Sequence, residues 1–410
     1  MKTNISIEEA NRILEEQYIE TSIIEISLLE SQGYVLAENI KSNINIPPFN
    51  RSPLDGYAYK SEDTLNAAKD FPTTLKVIDS IQAGYVSTKS IGNGEAIRIM
   101  TGAKIPEGAN VVMKYEDTEF TDKDVKIFHH LEPESNIVKK GEDIKVGDVV
   151  LSKGVIIDSA EIGILASLGI SRIKVYAKPK VAILATGDEL VDIYEELKEG
   201  KIRNSNSYTI AAQAKRWGGD ARILGICKDN IEEAKKILEE ALKWANIVVT
   251  TGGASVGDAD IIKEVFHEIG GNILFWKTQM KPGSPIVVGK HGNKFLFGLS
   301  GNPAAAFITF EQFVRPIILR LAGKEKYDLM EIDSILEDDF IKISNQDRYV
   351  RGYTYKKNGQ YYTSLPNKHS SGVLSSLSGK NSLFLVKANT GPYKKGDKIK
   401  VELINYLEVE

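Results

Sequence analysis

Between residues 179 and 322, short apolar runs alternate with helix-patterned stretches, and that order leaves few folds open. VAILATG, ARILGI and ANIVVTT are apolar runs of strand length. Between them lie SYTIAAQAKRW, stopped by Gly218-Gly219, and a stretch opened by Asn230-Ile231-Glu232-Glu233 that runs to about Ala245. ADIIKEVFHEIGG follows, with Ile261, Ile262, Val265, Phe266 and Ile269 on one side. Strands separated by helices lie parallel, and parallel strands need cover on both faces. This segment is predicted to be a mostly parallel α/β sheet. NILFWK, a hairpin across His291-Gly292-Asn293 and a long helix from about Pro303 complete it.

The flanks have other patterns. Ser6-Ile7-Glu8-Glu9 is a capping box before an amphipathic stretch with Ile7, Ala10, Ile13 and Leu14. From residue 50 to 140, TLKVI, EAIRIM, NVVMKY and DVKIF alternate with turn residues, as in a small β-rich domain. A second helix is predicted from Asp158 to Gly169. We expect it to pack with the first, so that residues 1–48 and 141–178 form one segmented α+β domain carrying the β-rich insert 49–140. The α/β domain spans 179–326. The last segment, 327–410, returns to short strands, with Asn358-Gly359 at a type I′ turn, and is predicted to be a β domain resembling a small barrel.

A chain of 410 residues exceeds one ordinary core, in keeping with this division. Lys and Arg number 52 against 56 Asp and Glu, so the balance of −4 predicts no nucleic-acid partner. No apolar stretch is long enough to span a bilayer, and the N-terminus lacks the apolar region of a signal peptide. Cys227 is the only cysteine, which excludes an intramolecular disulfide and a cysteine-based metal cluster. A cytoplasmic protein is expected, with Cys227 a small buried hydrophobe. Walker, dinucleotide-binding, zinc-protease and nucleophile-elbow motifs are missing. The five histidines show no metal-ligand spacing, and His129 and His130 are expected on opposite faces of a strand.

In an open α/β sheet, ligands gather beyond the carboxyl ends of the strands. Three polar loops fall there: Thr186-Gly187-Asp188-Glu189, Thr250 to Asp260 (TTGGASVGDAD), and Ser300-Gly301-Asn302-Pro303. Parallel strands would bring them to one rim. Gly252, Gly253 and Gly257 allow close backbone approach to a ligand, and successive N–H groups there favour an anion such as phosphate. Thr251 and Ser255 add donors. Asp258 and Asp260 suit a divalent cation or the donors of a heterocycle, and either explains equally well as a helix cap. Asp188-Glu189 is an acidic pair or a plain turn. Asn302-Pro303 is accounted for by a cap and a first-turn proline. The stiff PPFNRSPLDGYA junction is either a linker or a way to present Ser52 and Asp55 to a cleft.

PPFNRSPLDGYA, IRIMTGAKIPEGANVVM, NIVKKGEDI, ATGDEL, TTGGASVGDAD, MKPGSP and GLSGNPAAAF stand in the order and spacing of the molybdopterin molybdenumtransferase family, which this chain resembles over nearly its whole length. The resemblance implies a homodimer with its active cleft between protomers. It implies insertion of molybdate into adenylylated molybdopterin, release of AMP, and help from Mg2+ or another divalent cation. On matching positions it implies activity-linked roles for Asp55, Thr101, Asp143, Glu189, Asp229 and Asp260. Asp188, Glu189, Asp258 and Asp260 are assigned to the cation. Thr251, Gly252, Gly253, Ser255 and Gly257 are assigned to the pterin or its phosphate, with Ser300, Asn302 and Pro303 at the rim. Lys277 and Lys281 would attract molybdate or phosphate, and Asp55 and Thr101 would come from the partner protomer. A molybdopterin adenylyltransferase and apo-molybdoenzymes are the implied protein partners. Two departures stand out: Asn50 where the family often has Asp, and Ser284 where it often has Lys. The alternatives are the adenylyltransferase itself, which the flanking segments argue against, and a non-catalytic pterin-binding scaffold.

Overall fold

The computed structural model describes residues 2–252 and 259–409, and at 259, 260, 408 and 409 the backbone alone. The chain forms two compact units. One contains residues 1–37, 156–158 and 172–410, the other residues 38–155 and 159–171.

The first unit is built on a seven-stranded sheet. Lys180–Thr186, Ile247–Thr251 and Lys294–Leu299 lie side by side and parallel, with Asp220–Cys227 parallel on the outer flank of Lys180–Thr186. Val287–His291 pairs antiparallel with Lys294–Leu299 through the expected two-residue turn, and Asn272–Thr278 pairs antiparallel beyond it. The central strands are apolar throughout because both faces are covered. Val181, Ile183, Ile247, Val249 and Phe297 point into one core, with Ile210 and Ala214 of the helix Asn206–Arg216 and Phe313 and Ile317 of the C-terminal helical run. Ala182, Leu184, Val248 and Leu296 point into the other, under Leu238 and Ala241 of Ile231–Leu242 and Val265 and Phe266 of Ala259–Glu268.

The helix starts follow local chemistry. Ser6 and Asn230 each accept the amide three residues on, from Glu9 and Glu233. The long helix after Pro303 is not continuous: α-helical Pro303–Thr309 and Arg315–Leu321 flank a π turn, Phe310–Val314. That turn buries Glu311, which accepts from Gln213 and Trp217.

The expected grouping of residues 1–48 with 141–178 is corrected at its N-terminal end. Lys2–Ile5 pairs parallel with Asn272–Thr278, and Ile7, Ala10 and Leu14 bury in the core of the α/β sheet. The physical reason is that Asn272–Thr278 would otherwise be a bare sheet edge. Ile23–Ser27 and Arg172–Tyr176 form an antiparallel ribbon in the same unit. The last segment forms a closed five-stranded barrel. Asp347–Lys357 pairs with Gln360–Ser364, and the ring returns through Met330–Leu336, Lys398–Leu403 and Ser382–Val386. Asn358 and Gly359 both have positive φ, 50° and 81°, as a type I′ turn requires.

The second unit contains a six-stranded sheet in the order Val111–Lys114, Gly56–Tyr59, Glu95–Ile99, Thr73–Ile81, Asp124–Ile127, Thr118–Phe120. Tyr57, Tyr59, Leu75, Val111 and Ile127 fill one side of it, and Ile81, Ile97, Ile99 and Val112 the other. The helix Ser159–Ser167 belongs to this unit and ends before Gly169, whose φ is 75°. His129 and His130 follow Asp124–Ile127 rather than lying in it, so the opposite-face expectation does not hold.

Candidate functional site

Register fixes which loops can meet. Ala185 lies opposite Thr251, and Thr251 opposite Leu299, so the three central strands end level and in one direction. The loops that follow converge around a cavity of about 260 Å³. Thr186 and Glu189 line it from the first loop, Thr251 and Gly252 from the second, Gly301, Asn302 and Pro303 from the third. Glycines make this convergence possible. Gly252 has φ +92°, and a Cβ there would overlap the Thr186 carbonyl oxygen. Gly301 packs on the other side, where a Cβ would stand 3.5 Å from the Gly252 Cα. The three loop tips thus touch through bare backbone, and the cavity lies against them. At Gly187, φ is +145°, and the Glu189 carboxylate folds over it so closely that a Cβ would meet Oε1 at 2.7 Å.

Buried polar atoms face this region without partners among the described residues. They include the Thr186 hydroxyl and Nδ2 of Asn204. Thr186 is 3% exposed and Asn204 2%, so each gives up water without a protein bond in exchange. Such orphans are uncommon in cores and fit a polar ligand. The orientation of Asn204 is set by its Oδ1, which accepts the Ser207 amide at 3.1 Å, so Nδ2 is the donor left over.

Sequence reasoning missed two walls. Leu190–Val191 and Ile202–Arg203 form a short parallel pair, which brings residues 202–206 to the cavity. Nη1 of Arg203 donates to the carbonyls of Asp192, Ile193 and Glu195, and Lys201 donates to that of Asp188. The second wall is Gly372, from the barrel segment. Arg351, 1% exposed, donates to the carbonyls of Lys368 and Ser370, and the Ser371 carbonyl accepts the Ala304 amide. Burial and the charges of Arg351, Lys342 and Arg348 hold neighbouring His369 toward its neutral form. No local motif announces either wall, because both depend on contacts far apart in sequence.

The remaining expected residues fall into separate places. Asp188 is exposed beside Glu189. Ser300 is buried, and its hydroxyl accepts the Asn302 amide at 3.2 Å. Asn302 occupies the cap position before Pro303 but makes no side-chain cap bond, which corrects the capping explanation and leaves its amide to the cavity. Asp229 is exposed, two residues beyond the strand Asp220–Cys227 on the same rim, and does not line the cavity. Lys277 and Lys281 do not line it either. The Lys277 ammonium lies 4.1 Å from the centre of the Trp276 ring. Gly253, Ser255, Gly257 and Asp258 lie outside the described residues. The Asp260 backbone is the second residue of Ala259–Glu268.

In the second unit, Asp55 and Thr101 form a pair. The Asp55 carboxylate accepts the Thr101 amide at 2.7 Å and its hydroxyl at 2.8 Å. These two donors hold Asp55 below the usual carboxylate range. Ser52, by contrast, is fully buried and its hydroxyl donates to the Leu54 carbonyl, so it is a turn residue. Asp143 is exposed, its amide donating to the Ile46 carbonyl. Both sequence departures have local work. Asn50 accepts the Lys140 amide through Oδ1, an acceptor Asp would supply equally, and the Ser284 hydroxyl closes its loop on the Thr278 carbonyl. Cys227 is buried, and burial beside Glu233 pushes its thiol up to about 12, so it is no nucleophile.

Among the described residues no group of three His, Cys, Asp or Glu is placed to hold a metal. No helix among them is long and apolar enough to cross a membrane.

Comparison with known proteins agrees with this architecture. Residues 5–169 match the MoeA N-terminal region (domain I and II), residues 182–320 a probable molybdopterin binding domain, and residues 333–404 the MoeA C-terminal region (domain IV). A molybdopterin molybdenumtransferase of Staphylococcus epidermidis is 40% identical over 98% of this chain and 96% of its own. One of Staphylococcus aureus is 36% identical over 97% and 95%. A molybdopterin biosynthesis moeA protein structure from Pyrococcus horikoshii superposes with a TM-score of 0.82 at 32% identity, covering 98% of this chain and all of that one. From the level strand ends to the closed C-terminal barrel, the chain belongs to the molybdopterin molybdenumtransferase family.

Proposed function

We propose that this transferase inserts molybdenum from molybdate into adenylylated molybdopterin at the Thr186–Gly252–Gly301 cavity, releasing AMP. The observation that carries the reading is the convergence of three strand-end loops through bare backbone, beside buried donors that lack partners. The Thr186 hydroxyl and the Asn204 amide offer hydrogen bonds to pterin or phosphate oxygens. Asn302 and Pro303 shape the wall.

The donor set suits Mg2+ in one manner only. Mg2+ takes one or two carboxylates and completes its shell with water and substrate phosphate oxygens. Glu189 supplies a carboxylate at the cavity, with Asp188 beside it, and no three-ligand protein cage forms among the described residues. A bound cation would neutralise charge on the phosphates. The chain's own part is to orient the substrate, hold Glu189 in place and keep the anhydride against fixed donors. No nucleophilic side chain is needed.

In the same reading the enzyme is a cytoplasmic homodimer, and the Asp55–Thr101 pair of one protomer completes the site of the other. Asp143 and Asp229 would bear on the same chemistry, and Lys277 and Lys281 would draw in molybdate. The substrate would come from a molybdopterin adenylyltransferase, and the product would pass to apo-molybdoenzymes.

The test is AMP release from adenylylated molybdopterin, with Mg2+, with and without molybdate. Molybdate-dependent release supports the reading. Formation of adenylylated molybdopterin from ATP and molybdopterin instead would make the chain an adenylyltransferase. Tight binding without either reaction would make it a scaffold.

A further inference from the structure

We propose that Asn206 is a positioning residue, which sets the Gly301-Asn302-Pro303 wall of the cavity for the substrate. This rests on the pterin-binding reading of that cavity. Asn206 is the first residue of the helix Asn206–Arg216, and its Nδ2 donates to the Gly301 carbonyl at 2.8 Å. It donates from a fixed platform. The Asn204 amide donates to the Val191 carbonyl, and the Asn204 side chain accepts the Ser207 amide, so the start of the helix is tied on both sides.

The other ties of the receiving loop flank that point: the Asn302 amide donates to the Ser300 hydroxyl and the Ala304 amide to the Ser371 carbonyl. Asn302 makes no side-chain cap bond, and Gly301 has no side chain to pack. Gly301 rests on the Gly252 backbone, so its placement decides the gap between the second and third loops. Asn302 and Pro303 follow directly, and both line the cavity, as does Asn206 itself. Removing the Asn206 donor frees the wall while leaving the sheet and both cores untouched. Small misplacements of a positioning wall have large effects on reaction rate, on the order of 100-fold for about 1 Å.

A second tie joins the same helices deeper in the core and serves as a control. Gln213 Nε2 donates to the Phe307 carbonyl at 3.2 Å and to Glu311 at 2.7 Å, far from the loop. The experiment compares wild type, Asn206→Asp and Gln213→Ala by thermal melting and by titration with molybdopterin. Asn206→Asp keeps size but sets an oxygen against the Gly301 carbonyl. It should weaken molybdopterin binding at least tenfold with melting unchanged. Gln213→Ala should lower the melting temperature and leave binding within about twofold. Wild-type binding by Asn206→Asp overturns the proposal, as does a binding loss matched by an equal loss in a destabilised Gln213→Ala. Failure of the wild type to bind molybdopterin at all overturns the parent reading, and the positioning role with it.

Discussion

Replacing Gly252 with alanine tests the central contact of the site. A Cβ at Gly252 would overlap the Thr186 carbonyl oxygen and stand 3.1 Å from its carbon and 3.2 Å from its hydroxyl. Both groups are backbone or buried, so neither can swing away. The backbone at Gly252 also has φ +92°, which costs an alanine roughly 1–2 kcal/mol by itself. Relieving the overlap requires the two loops to part, and overpacking of this kind adds about 1–3 kcal/mol. The sum is about 2–5 kcal/mol, or roughly 4–10 °C in melting temperature at about 2 °C per kcal/mol for a unit of this size. Gly200→Ala is the matched control. Gly200 has φ +75° and open space around it, so it isolates the backbone cost. Urea unfolding of both variants, with molybdopterin titration of each, gives the comparison. Gly252→Ala should be the less stable by about 1–3 kcal/mol and should lose ligand binding, while Gly200→Ala should bind as wild type. Equal stability of the two variants, with binding intact, would refute the close approach of the loops.

Glu189→Gln should lower turnover at least 100-fold in the AMP-release assay with an unchanged melting temperature, because Glu189 is exposed at the cavity and supports no core. Trp217→Phe should cost about 1–3 kcal/mol in urea unfolding, since it removes the indole N–H that bonds both oxygens of the buried Glu311 carboxyl. Asp55→Asn should remove a pH-dependent contribution to stability. The folded Asp55 titrates below its ordinary value of 3.8, so its contribution is present above that value and is lost as pH falls through the folded one. Denaturation of wild type and Asp55→Asn should therefore differ at pH 7 and converge in acid, whereas a constant difference would remove the Thr101 donors as the cause.

The α/β sheet was legible because its signals are local. Fully apolar runs such as VAILA mark strands buried on both faces, and Asn230 and Ser6 mark helix starts by bonds made three residues away. The shared rim followed from strand direction alone. Other features rest on contacts that no local pattern encodes. The strand Lys2–Ile5 is polar at three of four positions, and only its pairing with Asn272–Thr278 defines it. Arg203 and Arg351 look like ordinary surface cations in sequence. One reaches three carbonyls of a neighbouring loop, and the other is buried in the barrel. Asn302 misled in the opposite way. Its place before Pro303 suggested a cap, yet the chain leaves its side chain unused for that purpose.

The most direct test is the structure of the protein with adenylylated molybdopterin bound. The ligand should lie against the backbone of Gly252 and Gly301, with an oxygen within hydrogen-bond distance of the Thr186 hydroxyl and a phosphate near Glu189. A ligand ordered elsewhere, with these loops in contact and nothing between them and residues 202–206, would contradict the account.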